Sequence, residues 1–355
     1  AAAELSARLG IGCENTAKWL HETTGPGGQE RERHLEHLRD SELACRRTGD
    51  TSAANRIVRG IAEVQRSASA WTLAPGQLLI VDEASLAGTL TLDNLTTQAT
   101  TAGAKVLLVG DHHQLSAVDA GGAFGLLAAT PQARELTSLW RFTHRWEAHA
   151  TRRLRHGDPS VLDVYESRRR ITAGTSAEVL DAAYDAWTHD QAADESTLLL
   201  AADTDAVDQL NDRARQDRVE SGHVDPTTEV PAADGVPVGV GDVVLTRRND
   251  RRVLTTGGQH VRNGDRWTIT ATHPDGAVTA VRDHAGRRAG AGAERVLLPA
   301  AYVRDHLELG YATTIHRAQG VTVDRAHVLV TPGMSREALY VAITRGRDGN
   351  QLYVP

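Results

Sequence analysis

Two short apolar runs, each closing on acidic residues, constrain this chain most. Gln77-Leu78-Leu79-Ile80-Val81 runs into Asp82-Glu83, and Lys105-Val106-Leu107-Leu108-Val109 runs into Gly110-Asp111. A continuous apolar strand without polar alternation suits a parallel sheet covered on both faces. The helical segment between the two runs supplies the crossover that parallel pairing requires. In such sheets ligands sit at the carboxyl ends of the strands, which is where these acids fall. Leu198-Leu199-Leu200-Ala201-Ala202 and Val328-Leu329-Val330 read as further buried strands, with helical patterns at Ala177–Trp187 and Asp205–Arg218 around the first. The fold class is therefore α/β.

Two stretches depart from that alternation. Near the start, Leu5, Leu9 and Ile11 precede a helix expected over Thr16–Glu22, and Gly25-Pro26-Gly27-Gly28 is expected to break the pattern. Charge-dense sequence from Gln29 to Arg47, with Leu35, Leu38 and Leu43 at helical spacing, continues into Ile57–Val64 and predicts a solvated helical hairpin. Later, Gly235–Pro299 is rich in Gly, Val, Thr and Arg. It alternates over Gly239–Thr246 and Arg266–Thr272, with turn signals at Asn263-Gly264-Asp265 and Pro274-Asp275-Gly276. That reads as a small β-barrel inserted into the α/β framework.

Charge sharpens this division. The 355 residues carry a formal net charge of −7, which argues against a wholly basic nucleic-acid coat. Yet Val236–Ala301 holds ten arginines against six acids, so a local basic module lies inside an acidic protein and suits contact with phosphodiester. All but two of the 39 basic residues are arginine, the exceptions being Lys18 and Lys105. Cys13 and Cys45 form neither a disulfide framework nor a metal spacing, which points to a reducing, cytoplasmic setting. No apolar run is long enough to span a membrane, and the N-terminus lacks a signal-peptide plan. The chain opens on Ala1 and its single methionine is Met334, so it reads as a piece of something longer.

Chemistry concentrates at the strand ends. Nucleotide hydrolysis needs a hard oxygen ligand for Mg²⁺ and a second carboxylate that orients or deprotonates the attacking water, and Asp82-Glu83 can divide those roles. Helix capping by Asp82 is the competing explanation. In Gly110-Asp111-His112-His113-Gln114-Leu115, the Gln114 amide can hydrogen-bond a γ-phosphate or the catalytic water, whereas Gly-Asp is also ordinary turn chemistry. Neither His112-His113 nor His144-Arg145-Trp146-Glu147-Ala148-His149 has a zinc-site spacing.

Three more segments complete the set: Trp140-Arg141-Phe142, Tyr311-Ala312-Thr313-Thr314-Ile315-His316-Arg317-Ala318-Gln319-Gly320, and Tyr340-Val341-Ala342-Ile343-Thr344-Arg345-Gly346-Arg347. Together with the acidic strand ends, and in this order, they resemble the motifs of superfamily 1 helicases. The similarity is to the RecD-like branch and, within it, to the helicase part of TraI/TrwC conjugative relaxases. Thr246-Arg247-Arg248-Asn249-Asp250-Arg251 and Val261-Arg262-Asn263-Gly264-Asp265-Arg266-Trp267 also look like that branch.

The resemblance implies two RecA-like P-loop NTPase lobes, the first incomplete, with an SH3-like β-barrel inserted in the second. The first lobe would span 1–137 with a helical insertion over about 25–70. The second would span 138–234 and 303–355, with the barrel over 235–302. Asp82 would hold Mg²⁺, partly through water, and Glu83 would be the general base. Gln114 would sense the γ-phosphate, and Arg141 and Arg345 would act as arginine fingers. Asp111, Gly320 and Arg347 would contact the nucleotide. Thr314, His316 and Gln319 would couple it to DNA, which Arg247, Arg248, Arg262, Asn263 and Trp267 of the barrel would also touch. The implied cofactors are ATP and Mg²⁺, and the implied partners are single-stranded DNA, tracked 5′ to 3′, and a relaxase domain on the same parent chain.

One family element is missing from these residues. The Gly-x-x-x-x-Gly-Lys-Ser/Thr loop that cradles phosphates is absent: Ala17 precedes Lys18, and Ala104 precedes Lys105. In relatives that loop precedes the segment resembling Ala1–Leu9 by one strand–helix–strand unit, about 30 residues. The expectation is a chain starting just after it, deficient in ATP hydrolysis by itself. The relaxase tyrosines and three-histidine metal cluster would lie further upstream. The alternative is a DNA-binding or scaffold remnant that keeps the fold without catalysis.

Overall fold

The computed structural model describes residues 10–115, 117, 121–136, 140–283 and 293–355. The reading of Leu5 and Leu9 and the resemblance of Ala1–Leu9 to an upstream family segment lie outside the described residues. The chain divides into two compact units at Glu135/Leu136.

In the first unit, α1 (Thr16–Thr23), α2 (Pro26–Arg47) and α3 (Thr51–Ser69) precede β1 (Leu78–Val81), α4 (Thr89–Thr101), β2 (Lys105–Leu108) and α5 (Ala123–Ala128). Asn15 caps α1 by accepting the Lys18 N–H at 2.7 Å. The helical pattern breaks at Thr24 and Gly25 as expected, but the next helix restarts at Pro26, before Gln29. Gly25 is the N-cap and Pro26 the first residue of α2. Proline costs nothing there, because the first turn's N–H groups have no helical partner. The α2–α3 hairpin is solvated as predicted; Ala54 is its one buried residue among those described.

β1 and β2 pair in parallel, Leu78 opposite Lys105 through Val81 opposite Leu108. Strand alternation splits their apolar residues between two faces. Leu79, Val81, Val106 and Leu108 pack with Ala84, Leu92, Leu95, Trp19 and Phe124. Leu78, Ile80 and Leu107 point the other way and are 54%, 40% and 46% exposed. This corrects the expectation of a sheet covered on both faces: within these residues, one face is covered.

The second unit begins with α6 (Arg145–Arg155), α7 (Val161–Ser167), β3 (Ile171–Ala173), α8 (Ser176–Ala192), β4 (Thr197–Ala201) and α9 (Thr204–Glu220). The inserted β module follows: β5 (Asp225–Pro231), β6 (Pro237–Val240), β7 (Val243–Thr246), β8 (Asp250–Leu254), β9 (His260–Val261), β10 (Arg266–Thr272), β11 (Val278–Arg282) and β12 (Arg295–Leu298). The chain then runs through α10 (Ala300–His306), β13 (Leu307–Leu309), β14 (Ala312–Thr314), β15 (Val323–Leu329), α11 (Arg336–Ala342) and β16 (Gly346–Val354).

Five strands form one parallel sheet in the order β14-β4-β15-β16-β3. Every residue of β4 is buried, as its uninterrupted apolar sequence requires. The inserted module is antiparallel, in the order β12-β11-β10-β7-β13, with the β5-β6 and β8-β9 pairs beside it. The alternating Gly239–Thr246 run is shared between β6 and β7. Gly241 breaks it at φ +97°, where a Cβ would lie 1.9 Å from the His223 carbonyl oxygen. No described helix is long and apolar enough to cross a membrane.

Candidate functional site

In the first unit, the acids sit where the paired strands end. Val109 N–H donates to Val81 O and Ala84 N–H to Val109 O, both at 2.8 Å, so the two strand ends are stitched together. Glu83 adopts φ 51°, ψ 41°, the left-handed region that a β-carbon penalises, and it heads the short helical turn Ala84–Leu86. Its N–H donates to Asp82 Oδ1 at 3.0 Å, closing the carboxylate of one acid over the backbone of the next. Gly110 is tightly enclosed, since a Cβ would come within 3.1 Å of Ala84 N. Asp111 accepts the His113 N–H at 3.1 Å and the Gln114 amide at 3.3 Å, which sets Gln114 beside the same strand ends. The His112 and His113 rings face each other, and no group of three metal-ligating side chains exists among the described residues.

The predicted arginines of the second unit converge on one stretch, Thr344–Asp348. Arg141 Nη1 donates to Thr344 O at 2.6 Å, and Thr143 N–H donates to Arg347 O at 2.9 Å. Arg345 is a correction. Its side chain is buried, 1% exposed, and its guanidinium donates to Val341 O, Val321 O, Ala318 O and Thr344 Oγ1 at 2.7–3.3 Å. It ties the Thr314–Gly320 loop to the end of α11 rather than reaching outward as a finger. Arg347 stays half-exposed and pairs with Asp324, which also accepts the Ser196 N–H at 2.9 Å and hydroxyl at 2.7 Å.

Thr314 ends β14, and Ile315 N–H donates to Ala201 O, so the loop that follows is anchored to the carboxyl end of β4. His316 is exposed, and Gly320 turns the chain at φ +84°. Gln319 is the loop's most telling residue. Both polar atoms of its amide are inaccessible to water and neither has a hydrogen-bond partner among the described residues. Buried polar groups left so are rare and costly.

Around the barrel, Arg247, Arg248 and Asn263 are exposed and Arg262 half-buried. Arg247 N–H donates to His306 O at 2.8 Å, and Asn263 N–H to Asn249 Oδ1 at 2.9 Å, fixing the two turns that carry these side chains. Trp267 is a second correction. It is fully buried in the barrel core, with the Arg282 guanidinium 4.4 Å from its ring centroid, and offers no face for stacking. Period-two alternation explains why: Trp267 and Ile269 point inward while Thr268 and Thr270 point outward.

The supporting residues carry little sequence signal. Asp242, fully buried, accepts from Gly239 N–H at 2.7 Å, Tyr311 OH at 2.6 Å and Arg215 Nε at 3.1 Å, joining the barrel, α9 and the start of the Tyr311–Gly320 motif. Glu147 on α6, also fully buried, accepts the Asn350 N–H at 3.1 Å and its amide at 2.9 Å. Asn350 in turn accepts the Gly346 N–H at 2.7 Å, so this pair shapes the turn holding Arg347. Burial pushes the Glu147 carboxyl above its ordinary range.

Comparison with known proteins gives matches along both units. A family described as an AAA domain matches residues 1–176, and one described as the Rv2311 SH3-like barrel domain matches residues 230–308. The probable conjugal transfer protein TraA of Sinorhizobium fredii is 30% identical over 313 residues, covering 85% of this chain and 27% of that protein. The ATP-dependent RecD2 DNA helicase of Deinococcus radiodurans is 29% identical over 293 residues, covering 78% of this chain and 36% of that protein. Among solved structures, Pif1 helicase from Bacteroides in complex with ADP-AlF3 and ssDNA shares the fold, with TM-score 0.51 and 18% identity over 78% of this chain and 70% of that one. The chain spans about a quarter of the length of the TraA relative.

Proposed function

From the premise that this chain belongs to the RecD-like branch of superfamily 1 helicases, related to the helicase region of conjugative relaxases, we propose that it is the ATP-driven, single-strand-tracking motor of a conjugal DNA-transfer protein. The observation that carries this reading is the pair Asp82-Glu83, held at the end of β1 by a left-handed Glu83 and stitched to the Gly110–Gln114 turn. Two adjacent carboxylates at a parallel-strand end suit a hard divalent cation and a water awaiting deprotonation. Asp82 would hold Mg²⁺, which would supply a Lewis acid for the phosphate oxygens; Glu83 would take the proton from the attacking water, and Gln114 would orient that water. When bound, ATP·Mg²⁺ supplies the phosphoanhydride whose cleavage drives movement.

The buried, unpaired Gln319 amide fits a group that accepts and donates hydrogen bonds, as a nucleotide does. Arg141 and Arg347 are the arginines for the transferring phosphoryl charge, and Arg345 holds the scaffold behind them. His316, the exposed Arg247, Arg248 and Asn263, and the half-buried Arg262 line the single strand, which runs 5′ to 3′ through the motor. The phosphate cradle is the part these residues do not supply. A loop of the pattern Gly-x-x-x-x-Gly-Lys-Ser/Thr would supply it. A relaxase domain on the parent chain would feed it the strand.

The test compares ATP hydrolysis by these 355 residues with that of a chain extended upstream through such a loop, each with and without single-stranded DNA. The extended chain should show DNA-stimulated hydrolysis, and the 355 residues should be slower by about 10²-fold or more, since most phosphate contacts are lost. Equal rates would contradict this division of labour. No hydrolysis in the extended chain would favour a scaffold.

A further inference from the structure

Glu308, at the centre of β13, sits between two arginines from different elements. Arg247 Nη1, at the end of β7, lies 3.3 Å from its Oε2, and Arg317 Nη1, from the loop after β14, hydrogen-bonds its Oε1. Each carboxylate oxygen is thus taken by a different guanidinium. The two arginine side chains are 43% and 38% exposed while the carboxylate between them is 23% exposed, so the acid lies beneath and the cations face solvent. Both arginines belong to segments read above as nucleic-acid contacts, one in the barrel and one in the Thr314–Gly320 motif.

Two guanidinium groups that meet on one small oxyanion can meet on another. A phosphodiester matches the fork of arginine at least as well as a carboxylate does. The local field also loosens Glu308's hold. Burial pushes its carboxyl up, the two arginines pull it down, and Asp208 and Asp234 push it up again. Asp208 faces the same group from α9 and is itself raised by burial and by its acidic neighbours. A carboxylate in such company is easily surrendered.

We propose that Arg247 and Arg317 form a single backbone-phosphate site for which Glu308 and a phosphodiester compete. Glu308 is a positioning residue: it keeps both cations extended toward solvent and is displaced when a phosphate arrives. This rests on the single-strand reading above and adds Arg317 as a contact and Glu308 as its competitor. Because Arg317 and His316 share one loop, exchanging carboxylate for phosphate also reports strand occupancy to the motif that contains Gln319.

The test is fluorescence anisotropy of the full 355-residue chain with a labelled oligothymidylate, over a range of salt. Glu308→Gln keeps the shape and removes the charge. It should tighten binding by about two- to tenfold, the scale of freeing two exposed ion pairs. It should also steepen the salt dependence by about 0.7 in log–log slope for each additional phosphate neutralised. Adding Arg317→Gln to that variant should cancel both effects, which a purely structural role for Glu308 would not produce. Wild-type affinity, or a loss of affinity, in Glu308→Gln overturns the inference alone. Failure of both proteins to bind the oligonucleotide overturns the single-strand reading and this site with it.

Discussion

The chain contains two parallel sheets written in the same sequence style and finished differently. β4 reads Thr-Leu-Leu-Leu-Ala and has every residue buried between flanking helices. β1 reads Leu-Leu-Ile-Val and leaves Leu78 and Ile80 exposed. Apolar content is similar; what differs is the set of flanking strands. β4 lies between β14 and β15 in a five-stranded sheet, whereas β1 pairs with β2 alone among the described residues. A run of apolar residues therefore states what a strand expects to be covered by, and in the first unit one face is left uncovered among the described residues. The second unit encloses its sheet, and among the described residues the first leaves one sheet face open.

The sharpest way to break that comparison is to cut a side chain of similar size from each sheet. Leu199→Ala should destabilise the second unit by about 2–5 kcal/mol, because the side chain is fully enclosed and the cavity cannot collapse. Ile80→Ala should cost the first unit less than about 1 kcal/mol, as exposed positions do. Hydrogen exchange at the β4 and β1 amides reads the two units separately. Equal losses would mean that the exposed face is covered after all.

Next in size is Arg345→Ala. Four acceptors converge on that guanidinium, and removing it strands them in a buried site, so a loss of about 2–4 kcal/mol is expected, measured by urea denaturation. A neutral result would return Arg345 to the role of a finger. Smaller again is the pH response of Glu147, which faces Arg170, His144 and Tyr165 as well as Asn350. Its carboxyl is raised in the folded state, so the folded state holds the proton more tightly. That contribution is present below the ordinary glutamate range and lost as pH rises through the raised value. Glu147→Gln should flatten this decline in the second unit's melting temperature between mildly acidic and neutral pH, and an unchanged slope would show that another group sets it.

Much of this fold was legible because its signals are local. Apolar runs announced β1, β2 and β4, and the acids that follow β1 and β2 announced themselves by position. The start of α2 was misread because Gly-Pro-Gly-Gly looks like a breaker, while proline at a first helical position is one of its comfortable places. Trp267 was placed on DNA only by the resemblance of its segment to the relaxase branch, yet its alternation with Thr268 and Ile269 already pointed it inward. Glu147, Asp242 and Glu308 were invisible. Glu147 meets Asn350 across 203 residues, and a buried carboxylate whose partners come from distant segments looks, in sequence, like any surface acid. Electrostatic ties of this kind are set by tertiary packing, which periodicity does not report.

In the proposed mechanism the acids at the end of β1 run an ATP-driven motor. Glu83→Gln tests this most directly, in a chain extended upstream through a phosphate-cradling loop. ATP and single-stranded DNA should still bind, while DNA-stimulated hydrolysis falls by about 10²-fold or more, the usual cost of removing a general base. Hydrolysis that survives the substitution would contradict the assignment.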